Sequence, residues 1–398
     1  MNGTTNGNHS RELPSFDSPS LMLLHPTEAE KDQQTRENGA SWQGALPTLE
    51  AYARREKHLH SQEATVNGGL TSWVLVDNSD PNKRLAICGC ESIRKRALVA
   101  HEGIVKDTGA HGIGSVFCPP QYRGRNYASR MMTDLGETLK AWQNEKGNLF
   151  SILYSDIGKR FYAKHGWKPF PSTHVSIPAS TPKRTSEKLP VASPLHREDL
   201  ALLCDIDEAL LRKRIKTISA TNDKVFVTII PDIQTIRWHH AREEFVGKEL
   251  YGSTFDIKGA IVGDTVGQRA WCIWTRMWYN ADPTETEENT LHILRLVIEE
   301  KDVGDWEHVK FDDADRQRYV PMIASLLAAA VERADESVME SVEIWNPNAL
   351  TLEAAKLVFP KAAIEDRESE SICSLRWYGD EKLEDSVVWL GNEKYGWC

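Results

Sequence analysis

The stretch Phe117-Cys-Pro-Pro-Gln-Tyr-Arg-Gly-Arg-Asn-Tyr-Ala-Ser129 is the part of the sequence that says most about the fold. An apolar strand ends at Cys118, and a helical pattern begins soon after a loop with two prolines, two arginines and a glycine. The first N–H groups of a helix have no partner within the helix and lie at the positive end of its dipole. Gly124 lets a phosphate approach the backbone, and Arg123 and Arg125 can add charge-assisted hydrogen bonds. The stretch therefore predicts a site for a phosphate-bearing ligand, although a plain strand-to-helix turn with surface arginines would have the same sequence.

Apolar and helical patterns on both sides of this stretch predict an α/β chain made of two similar halves. In each half a strand hairpin and a long strand precede a long helix, a strand, a short helix and a further strand. The first half has predicted strands at 21–24, 71–77, 84–90, 111–118, 149–154 and 174–177, and helices near 27–37, 47–58, 124–144 and 157–164. The second half has predicted strands near 225–230, 259–262, 270–278, 290–298, 341–345, 372–377 and 387–390, and helices near 197–215, 314–334 and 349–358.

A segment rich in proline, serine, threonine and lysine predicts the boundary between the two halves. We place a polar, disordered tail at residues 1–18 and a first domain at residues 19–180. A linker at 181–194 then leads into a second domain at 195–398. A chain of 398 residues is long enough for two domains of this size.

Composition excludes several classes of protein. With 40% apolar and 27% charged residues, the chain is typical of a globular protein and not of a disordered or fibrous one. A net charge of −10 argues against a nucleic-acid partner. No stretch approaches the ~18 apolar residues of a transmembrane helix, and the start lacks the features of a signal peptide. We therefore expect a cytoplasmic protein with no membrane partner.

The cysteines give no sign of a metal or disulfide framework. Seven of them are scattered along the chain without a C-x-x-C pair. This spacing favours neither a zinc site nor a set of disulfides, so we expect no metal cofactor. Nothing in the sequence indicates an oligomeric state.

A second motif, Phe161-Tyr-Ala-Lys-His-Gly-Trp167, follows the first. The loop motif Gln121–Asn126 resembles the acetyl-CoA signature Q/R-x-x-G-x-G/A of the GNAT N-acetyltransferase superfamily, with Asn126 where the family has Gly or Ala. The second motif resembles the family's [L/F]-Y-x-x-x-G-[F/W]. Residues 20–180 further resemble the fungal lysine N6-acetyltransferases, in the segments WVLVD (73–77), CESIRKRAL (90–98), HGIGSVFCPPQYRGRNYASRMM (111–132) and SILYSDIGKRFYAKHGW (151–167).

This resemblance implies the GNAT fold, a mixed and mostly antiparallel sheet with helices on both faces, followed by a second, GNAT-like domain. It implies acetyl-CoA as co-substrate and free L-lysine as the acceptor, acetylated on its side-chain nitrogen in a ternary complex. The main chain of Phe117 and Cys118 would contact the acetyl and pantetheine groups, and Ser155 stands where the family often has an Asn that bonds pantetheine. Tyr162 would be the general acid toward the sulfur of coenzyme A. The pyrophosphate would be held by Arg123, Gly124, Arg125, Asn126, Tyr127, Ala128 and Ser129.

The general base, acting directly or through water, is left open among four candidates. One of them is Asp156, next to Ser155, although it would equally serve to cap the helix at 157–164. A lysine ammonium, with a pKa near 10.4, is mostly protonated at pH 7 and must lose a proton before it can attack. His111 opens the strand that leads into the loop and Glu91 follows another strand, but an ordinary strand-end histidine and a surface acid would look the same. The chain ends in Tyr395-Gly-Trp-Cys398, which is apolar for a terminus. We expect this end to pack inward and to bring the terminal carboxylate of Cys398 to the acceptor site.

The second half lacks the loop signature after its strand 290–298. That loop instead contains acids, from Glu299 to Asp305, which would repel a pyrophosphate. We therefore expect a single acetyl-CoA site, in the first half. Two other functions remain open: acetylation of a different amine, such as a polyamine, an amino-sugar or a secondary-metabolite amine, and non-catalytic binding by a GNAT-like protein.

Overall fold

The computed structural model describes residues 12–144, 147–182, 189–300 and 311–398. Most of the tail predicted at 1–18 and part of the linker predicted at 181–194 lie outside the described residues. The end of that tail is held against the first domain, because the Tyr127 hydroxyl donates a hydrogen bond to the carbonyl of Pro14.

Helices and strands alternate along most of the chain. The helices are α1 (Glu28–Trp42), α2 (Leu49–His60), α3 (Tyr127–Leu139), α4 (Arg160–Ala163), α5 (Leu200–Ala220), α6 (Ile233–Tyr251), α7 (Asp313–Asp335) and α8 (Ala349–Val358). The strands are β1 (Leu21–Leu24), β2 (Leu70–Asp77), β3 (Leu85–His101), β4 (Ile104–Phe117), β5 (Phe150–Ser155), β6 (Lys168–Pro169), β7 (Thr173–Pro178), β8 (Ala192–Leu195), β9 (Val225–Ile229), β10 (Gly259–Val262), β11 (Ala270–Met277), β12 (Thr290–Ile298), β13 (Ser341–Trp345), β14 (Glu365–Asp366), β15 (Ile372–Trp377) and β16 (Val387–Trp389).

Over the described residues the strands form two mixed sheets. The first has the order β1-β2-β3-β4-β5-β15-β6, and β9 and β16 extend it along the outer part of β3. The second has the order β14-β7-β13-β12-β11-β10-β8. In the middle of each sheet two strands run parallel, β4 with β5 and β12 with β13. The predicted fold class, a mixed sheet with helices and a second GNAT-like sheet, is confirmed.

The two halves exchange strands, because β9, β15 and β16 of the second half lie in the first sheet and β7 of the first half lies in the second. The strands predicted near 225–230, 372–377 and 387–390 therefore do not belong to a separate second-half sheet. β7 pairs with β13, and β15 pairs with β5. The expectation that the strand at 174–177 completes the first half is therefore wrong, since this strand lies in the second sheet. The apolar pattern of a buried strand predicts the strand but does not specify its partner. The end of the predicted linker is also a strand, β8, at the edge of the second sheet, where Pro194 removes no hydrogen bond that the sheet needs.

Helix α6 has no counterpart among the predicted elements. It begins after Asp232, whose carboxylate accepts a hydrogen bond from Thr235 N, and ends at Gly252 in the left-handed conformation. Its buried residues include His239, Arg242 and Glu243. Because these polar side chains replace an apolar stripe, the pattern that identifies an amphipathic helix is missing from its sequence.

The last ten residues of the chain run through the interior. Trp389, Lys394 and Tyr395 are buried, and Tyr395 packs in a cluster that contains Ile152 of the first sheet and Leu294 of the second. The Tyr395 hydroxyl donates to the carbonyl of Ile229 at 2.7 Å. The inward packing of the C-terminus, expected from its composition, is thus what the structure has. None of the helices in the described ranges is long and apolar enough to cross a membrane.

Candidate active site

The loop before α3 has the shape of an anion site. Asn126 precedes the helix in the left-handed conformation (φ 62°), and Gly124 also has a positive φ of 75° with open space where a side chain would be. The first backbone hydrogen bond of the helix runs from Arg130 N to the carbonyl of Asn126. The N–H groups between Gly124 and Arg130 are therefore available to a phosphate. Asn126, the departure from the family signature, adopts a conformation that asparagine tolerates better than most residues.

The two loop arginines have different surroundings. Arg123 Nε donates to the carbonyl of Cys118 at 2.8 Å, and its guanidinium lies over the Phe117 ring. It therefore braces the turn that leaves β4. Arg125 is exposed on the outside of the loop.

Strands β4 and β5 separate next to this loop. Their parallel pairing extends from Ala110 to Ile113, and β4 then continues alone to Phe117. At this point β4 bulges, since Gly114 pairs with Glu91 and Phe117 pairs with Gly89, leaving two residues of β4 opposite one of β3. Ser115, in this bulge, has a φ of 53°. The result is a gap between two strands, with unpaired backbone on its β4 side.

Glu91 lies at the centre of a polar cluster beside the bulge. Its carboxylate pairs with His60 Nε2 at 3.1 Å and accepts hydrogen bonds from Ser115 Oγ at 2.9 Å and from Ser72 Oγ at 3.4 Å. The side chain of Glu91 is 19% exposed and that of His60 is 35% exposed. Glu91, predicted as a candidate base, is therefore part of an acid–imidazole pair at the place where the strands separate.

The electrostatics of this pair favour its charged form. Burial by itself would raise the pKa of the Glu91 carboxyl, but the hydrogen bonds from His60, Ser115 and Ser72 hold that pKa below its usual value. Burial likewise opposes the charged imidazole of His60, yet Glu91 raises the pKa of His60 above its usual value. His60 was missed by the sequence analysis, because a histidine in the last turn of a helix is also typical of simple dipole stabilisation.

A groove of about 460 Å³ leads from solvent to Glu91 and Ser115. It lies between helices α1 and α2 and strands β2 to β4, and it also reaches Phe117 at the start of the loop before α3. A small substrate therefore has a route to the bulge of β4 that needs no change in the fold.

His111 lies away from this cluster. Its ring is 1% exposed and its Nε2 lies 3.3 Å from Gln143 Oε1, beyond the end of α3. Its neighbour Gly112 faces the C-terminal residue, so alternation along β4 directs His111 to the other face. Burial lowers the pKa of His111 to about 4. The geometry does not bring this candidate base to Glu91.

Tyr162 is buried below the gap, on α4. It packs in the same apolar cluster as Ile113 and Leu153, the last paired residues of β4 and β5. Burial raises the pKa of the Tyr162 phenol, with a further contribution from the neighbouring Cys90. The phenol therefore stays protonated at any physiological pH, as a proton donor must.

Ser155, at the end of β5, uses its hydroxyl within a tight turn. Ser155 Oγ donates to the carbonyl of Gly158 at 2.8 Å and accepts from Ile157 N at 3.2 Å. A contact between this hydroxyl and pantetheine would require the turn to open, and it stays a prediction.

The C-terminal residue lies against β4 at the gap. A methyl group on Gly114 would come 3.0 Å from a terminal oxygen of Cys398, and one on Gly112 would come 2.7 Å from the Cys398 sulfur. Gly396 is packed against the Tyr154 hydroxyl of β5. The charge of Glu91 also acts on the Cys398 thiol, whose pKa is raised mainly by burial. The structure thus brings Cys398 and Glu91, two of the candidate bases, to the same face of the sheet.

The tail also fills the corresponding gap of the second sheet. β12 and β13 pair as far as Ile293 and then separate. The Glu393 carboxylate occupies this opening, where it accepts a hydrogen bond from Leu296 N at 3.0 Å and pairs with Arg295. This is a structural reason to expect no coenzyme there. The acidic loop that motivated the same expectation is described only up to Glu300.

Among the described residues, no three or more His, Cys, Asp or Glu side chains are grouped so that they could hold a metal ion.

Comparison with known sequences places the chain among acetyltransferase-like proteins. Residues 174–398 match the family described as the LYC1 GNAT-like C-terminal domain. The chain is 24% identical to a lysine acetyltransferase of Yarrowia lipolytica over 302 residues, which cover 66% of this chain and 74% of that protein. It is also 22% identical to an uncharacterised protein of Saccharomyces cerevisiae. That alignment is 405 residues long with its gaps and covers 90% of this chain and 93% of that protein.

Solved structures with the same fold include two acyltransferase-like proteins. The N-myristoyltransferase of Saccharomyces cerevisiae with bound myristoyl-CoA aligns with a TM-score of 0.51 at 9% identity, over 93% of this chain and 83% of that one. A probable N-acyltransferase from Enterococcus faecalis aligns with a TM-score of 0.50 at 13% identity, over 90% and 72% of the two chains. At these identities the likeness shows the fold alone.

Proposed function

Because the chain belongs to the family of the LYC1 GNAT-like C-terminal domain, and with it to the GNAT-type acetyltransferases, we propose that it acetylates the side-chain nitrogen of free L-lysine with acetyl-CoA. The reaction would be a direct attack of the amine on the thioester in a ternary complex. The observation that carries the proposal is the gap between β4 and β5, which opens beside the unpaired N–H groups of the loop before α3.

The loop between β4 and α3 would hold the coenzyme. Its unpaired N–H groups and the open space at Gly124 suit a pyrophosphate, and Arg125 can add charge. The exposed backbone of β4 at Phe117 and Cys118 would receive the pantetheine and acetyl groups. Acetyl-CoA supplies an activated carbonyl carbon. The chain's residues have to orient it, remove two protons from the acceptor nitrogen and deliver one to the departing sulfur.

The terminal carboxylate of Cys398 is the proposed base. Within the described part of the chain it has no hydrogen-bond or ion-pair partner at hydrogen-bonding distance, whereas both oxygens of Glu91 are engaged. An ammonium has no lone pair, so the carboxylate first accepts one of its protons, and the neutral amine then attacks the thioester carbon. The second proton that the nitrogen loses passes through the same carboxylate to solvent as the amide forms. Because a carboxyl pKa is far below that of an ammonium, the first transfer depends on the amine being desolvated next to the carboxylate.

Glu91 and His60 would place the ammonium before it reacts. A carboxylate that stays ionised attracts the cationic acceptor along the groove, and His60 keeps Glu91 in one orientation. Glu91 is thus proposed as a positioning and electrostatic residue beside the base.

Tyr162 is the proposed general acid. When the C–S bond breaks, the departing thiolate gains a proton from the phenol, which is recharged from solvent. The pKa of a phenol is near 10 and that of a thiol near 8.5, so the transfer need not be downhill but must be well placed.

Free lysine as the acceptor is supported by the similarity to the Yarrowia lipolytica lysine acetyltransferase and by the ionised carboxylate of Glu91, which the groove reaches. Another amine would use the same chemistry at the same gap.

A thiol-release assay tests the proposal. The full-length protein is given acetyl-CoA with L-lysine, L-ornithine, cadaverine, spermidine or glucosamine, and the product is located by mass spectrometry. We expect the highest kcat/KM with L-lysine and acetylation at its side-chain nitrogen. Faster turnover with another amine would overturn lysine as the acceptor, and no turnover with any amine would overturn catalysis.

A further inference from the structure

Arg242, on α6, is a buried cation without an ionic partner in the described part of the chain. The residue is 8% exposed, and no described carboxylate lies within 4.0 Å of its guanidinium. The nearby acids are already engaged, since Glu56 pairs with Arg55 at 2.7 Å and Glu243 pairs with Lys258 at 2.8 Å. Burial lowers the pKa of Arg242, but a guanidinium remains charged at physiological pH.

Two aromatic rings cover Arg242 without using its donors. The Arg242 Cζ lies 5.9 Å from the ring centre of Tyr279 and 5.9 Å from that of Trp397. Cation–π contacts engage the flat faces of a guanidinium, whereas its N–H groups point outward from the edge. Tyr279 is 39% exposed, so solvent reaches the space beside these rings.

The reacting centre is close to this space. Trp397 precedes Cys398 in the chain, and Cys398 lies against Gly114. The charges of Arg242 and Glu91 both act on the phenol of Tyr52, which is buried on α2. Lys394 Nζ lies 4.3 Å from the Trp397 ring, and because burial lowers the pKa of Lys394 to about 7, this amine adds little positive charge above that pH. Trp397 thus connects the cation at Arg242 with the C-terminal residue at the gap.

A buried charge without a partner is costly, and a bound carboxylate would offset that cost. We propose that Arg242 binds the α-carboxylate of the acceptor, so that the enzyme selects a free amino acid over an amine that lacks a carboxylate. This inference rests on the proposed function. The planar fork of arginine suits the two oxygens of a carboxylate, while the methylene chain of the amino acid would extend from Arg242 toward Cys398.

Cadaverine, which is lysine without its carboxylate, is the probe that tests this role. Initial rates with saturating acetyl-CoA are measured for L-lysine and cadaverine in the wild type, in Arg242→Gln and in Arg237→Gln. Arg237 lies on the same helix with its side chain 39% exposed and serves as the matched control. We expect Arg242→Gln to lower kcat/KM for lysine by about 10²-fold, mainly through KM, as for a lost charge-assisted pair. Turnover of cadaverine should change less than about threefold in the same variant.

The remaining outcomes separate the inference from the proposed function. Equal kcat/KM for lysine and cadaverine in the wild type would overturn the role of Arg242 and leave acetyl transfer intact. An equal loss with both substrates in Arg242→Gln would mean that the arginine is only structural. No turnover with either amine in the wild type would overturn the proposed function itself. If Arg242→Gln does not fold, wild-type enzyme with L-lysinamide decides the matter, because a neutral amide must then be the weaker substrate by a similar factor.

Discussion

At the scale of single residues, the structure assigns different surroundings to side chains that are similar in sequence. Glu91 is held by His60, Ser115 and Ser72, whereas the carboxylate of Cys398 has no such partner among the residues that the structure describes. His111 lies on β4, next to the strand that carries Glu91, but its side chain is buried on the opposite face of the sheet. The chemistry of each group follows from its neighbours and not from its residue type.

Tyr162→Phe should lower kcat by about 10²-fold and leave the affinity for acetyl-CoA almost unchanged. The change removes one hydroxyl, so the thiolate loses its proton donor while the ring keeps its packing. Stopped-flow or steady-state rates across pH 6–9 give kcat, and calorimetry gives the affinity. An unchanged kcat over this range would show that water protonates the thiolate and that the tyrosine is structural.

Lys394→Met should stabilise the protein, and more so at pH 7 than at pH 9. Burial lowers the pKa of Lys394 to about 7, with the Nζ atom between the rings of Trp345 and Trp397. In the unfolded chain the lysine keeps its usual pKa of 10.5. At any pH between the folded and the unfolded pKa, folding therefore releases a proton from this lysine. Wild-type stability therefore falls as the pH is lowered from about 10 to 7 and then levels off.

Denaturant unfolding at the two pH values measures this difference. The advantage of the variant should grow by on the order of 2 kcal/mol, since one pH unit corresponds to about 1.4 kcal/mol per proton. The exposed Lys224→Met is the control and should show no such growth. A pH-independent difference for Lys394→Met would mean that this lysine stays charged in the folded protein.

At the scale of elements, the bulge of β4 and the gap beside it create the site. Because Ser115 and its neighbour bulge out of the β3 ladder, β4 presents free backbone and also directs Ser115 toward Glu91. The loop before α3 follows the end of β4. This one strand therefore runs from the position of the proposed base to the loop proposed to bind the pyrophosphate.

Gly114→Ala tests the contact between this bulge and the C-terminus. The added methyl group would lie 3.0 Å from the terminal oxygen of Cys398 and should displace the carboxylate. We expect kcat with lysine to fall at least about tenfold, while acetyl-CoA still binds. Lys106→Ala, at the exposed start of the same strand, is the control. Wild-type kcat in Gly114→Ala would indicate that the carboxylate is not the base.

At the scale of the whole molecule, the two halves depend on one another. Each sheet contains a strand from the other half, and the tail passes from the second gap at Glu393 to the first gap at Cys398. Neither half can therefore be expected to fold as it does in the full chain, and functional tests need the complete protein.

Changes to the C-terminus should separate catalysis from coenzyme binding. Adding one glycine after Cys398 moves the terminal carboxylate by one residue but keeps Tyr395 in its buried place. Deleting Cys398 moves the carboxylate in the opposite direction. We expect both variants to lose about 10²-fold in kcat and to raise the KM for lysine, with little change in the calorimetric affinity for acetyl-CoA. Wild-type kinetics in either variant would place the base elsewhere.

The sequence alone was sufficient for the α/β class, most of the helices and strands, and the loop at 117–129. These depend on local patterns, namely apolar periodicity and the spacing of the two motifs, which survive without knowledge of distant contacts. The family resemblance added Tyr162, and the composition of the last residues was enough to expect that the terminus packs inward.

Only the tertiary structure decided which residues meet. Contacts between residues far apart in the chain determine the exchange of β7 and β15, the burial of the polar helix α6 and the pairing of His60 with Glu91. They also bury Arg242 without an ionic partner among the described residues. The sequence of a buried strand does not predict which strand it pairs with, and the sequence around an arginine does not predict whether it is buried or exposed. The site is therefore specified by packing between the halves, while the loop that would bind the coenzyme is specified by adjacent residues.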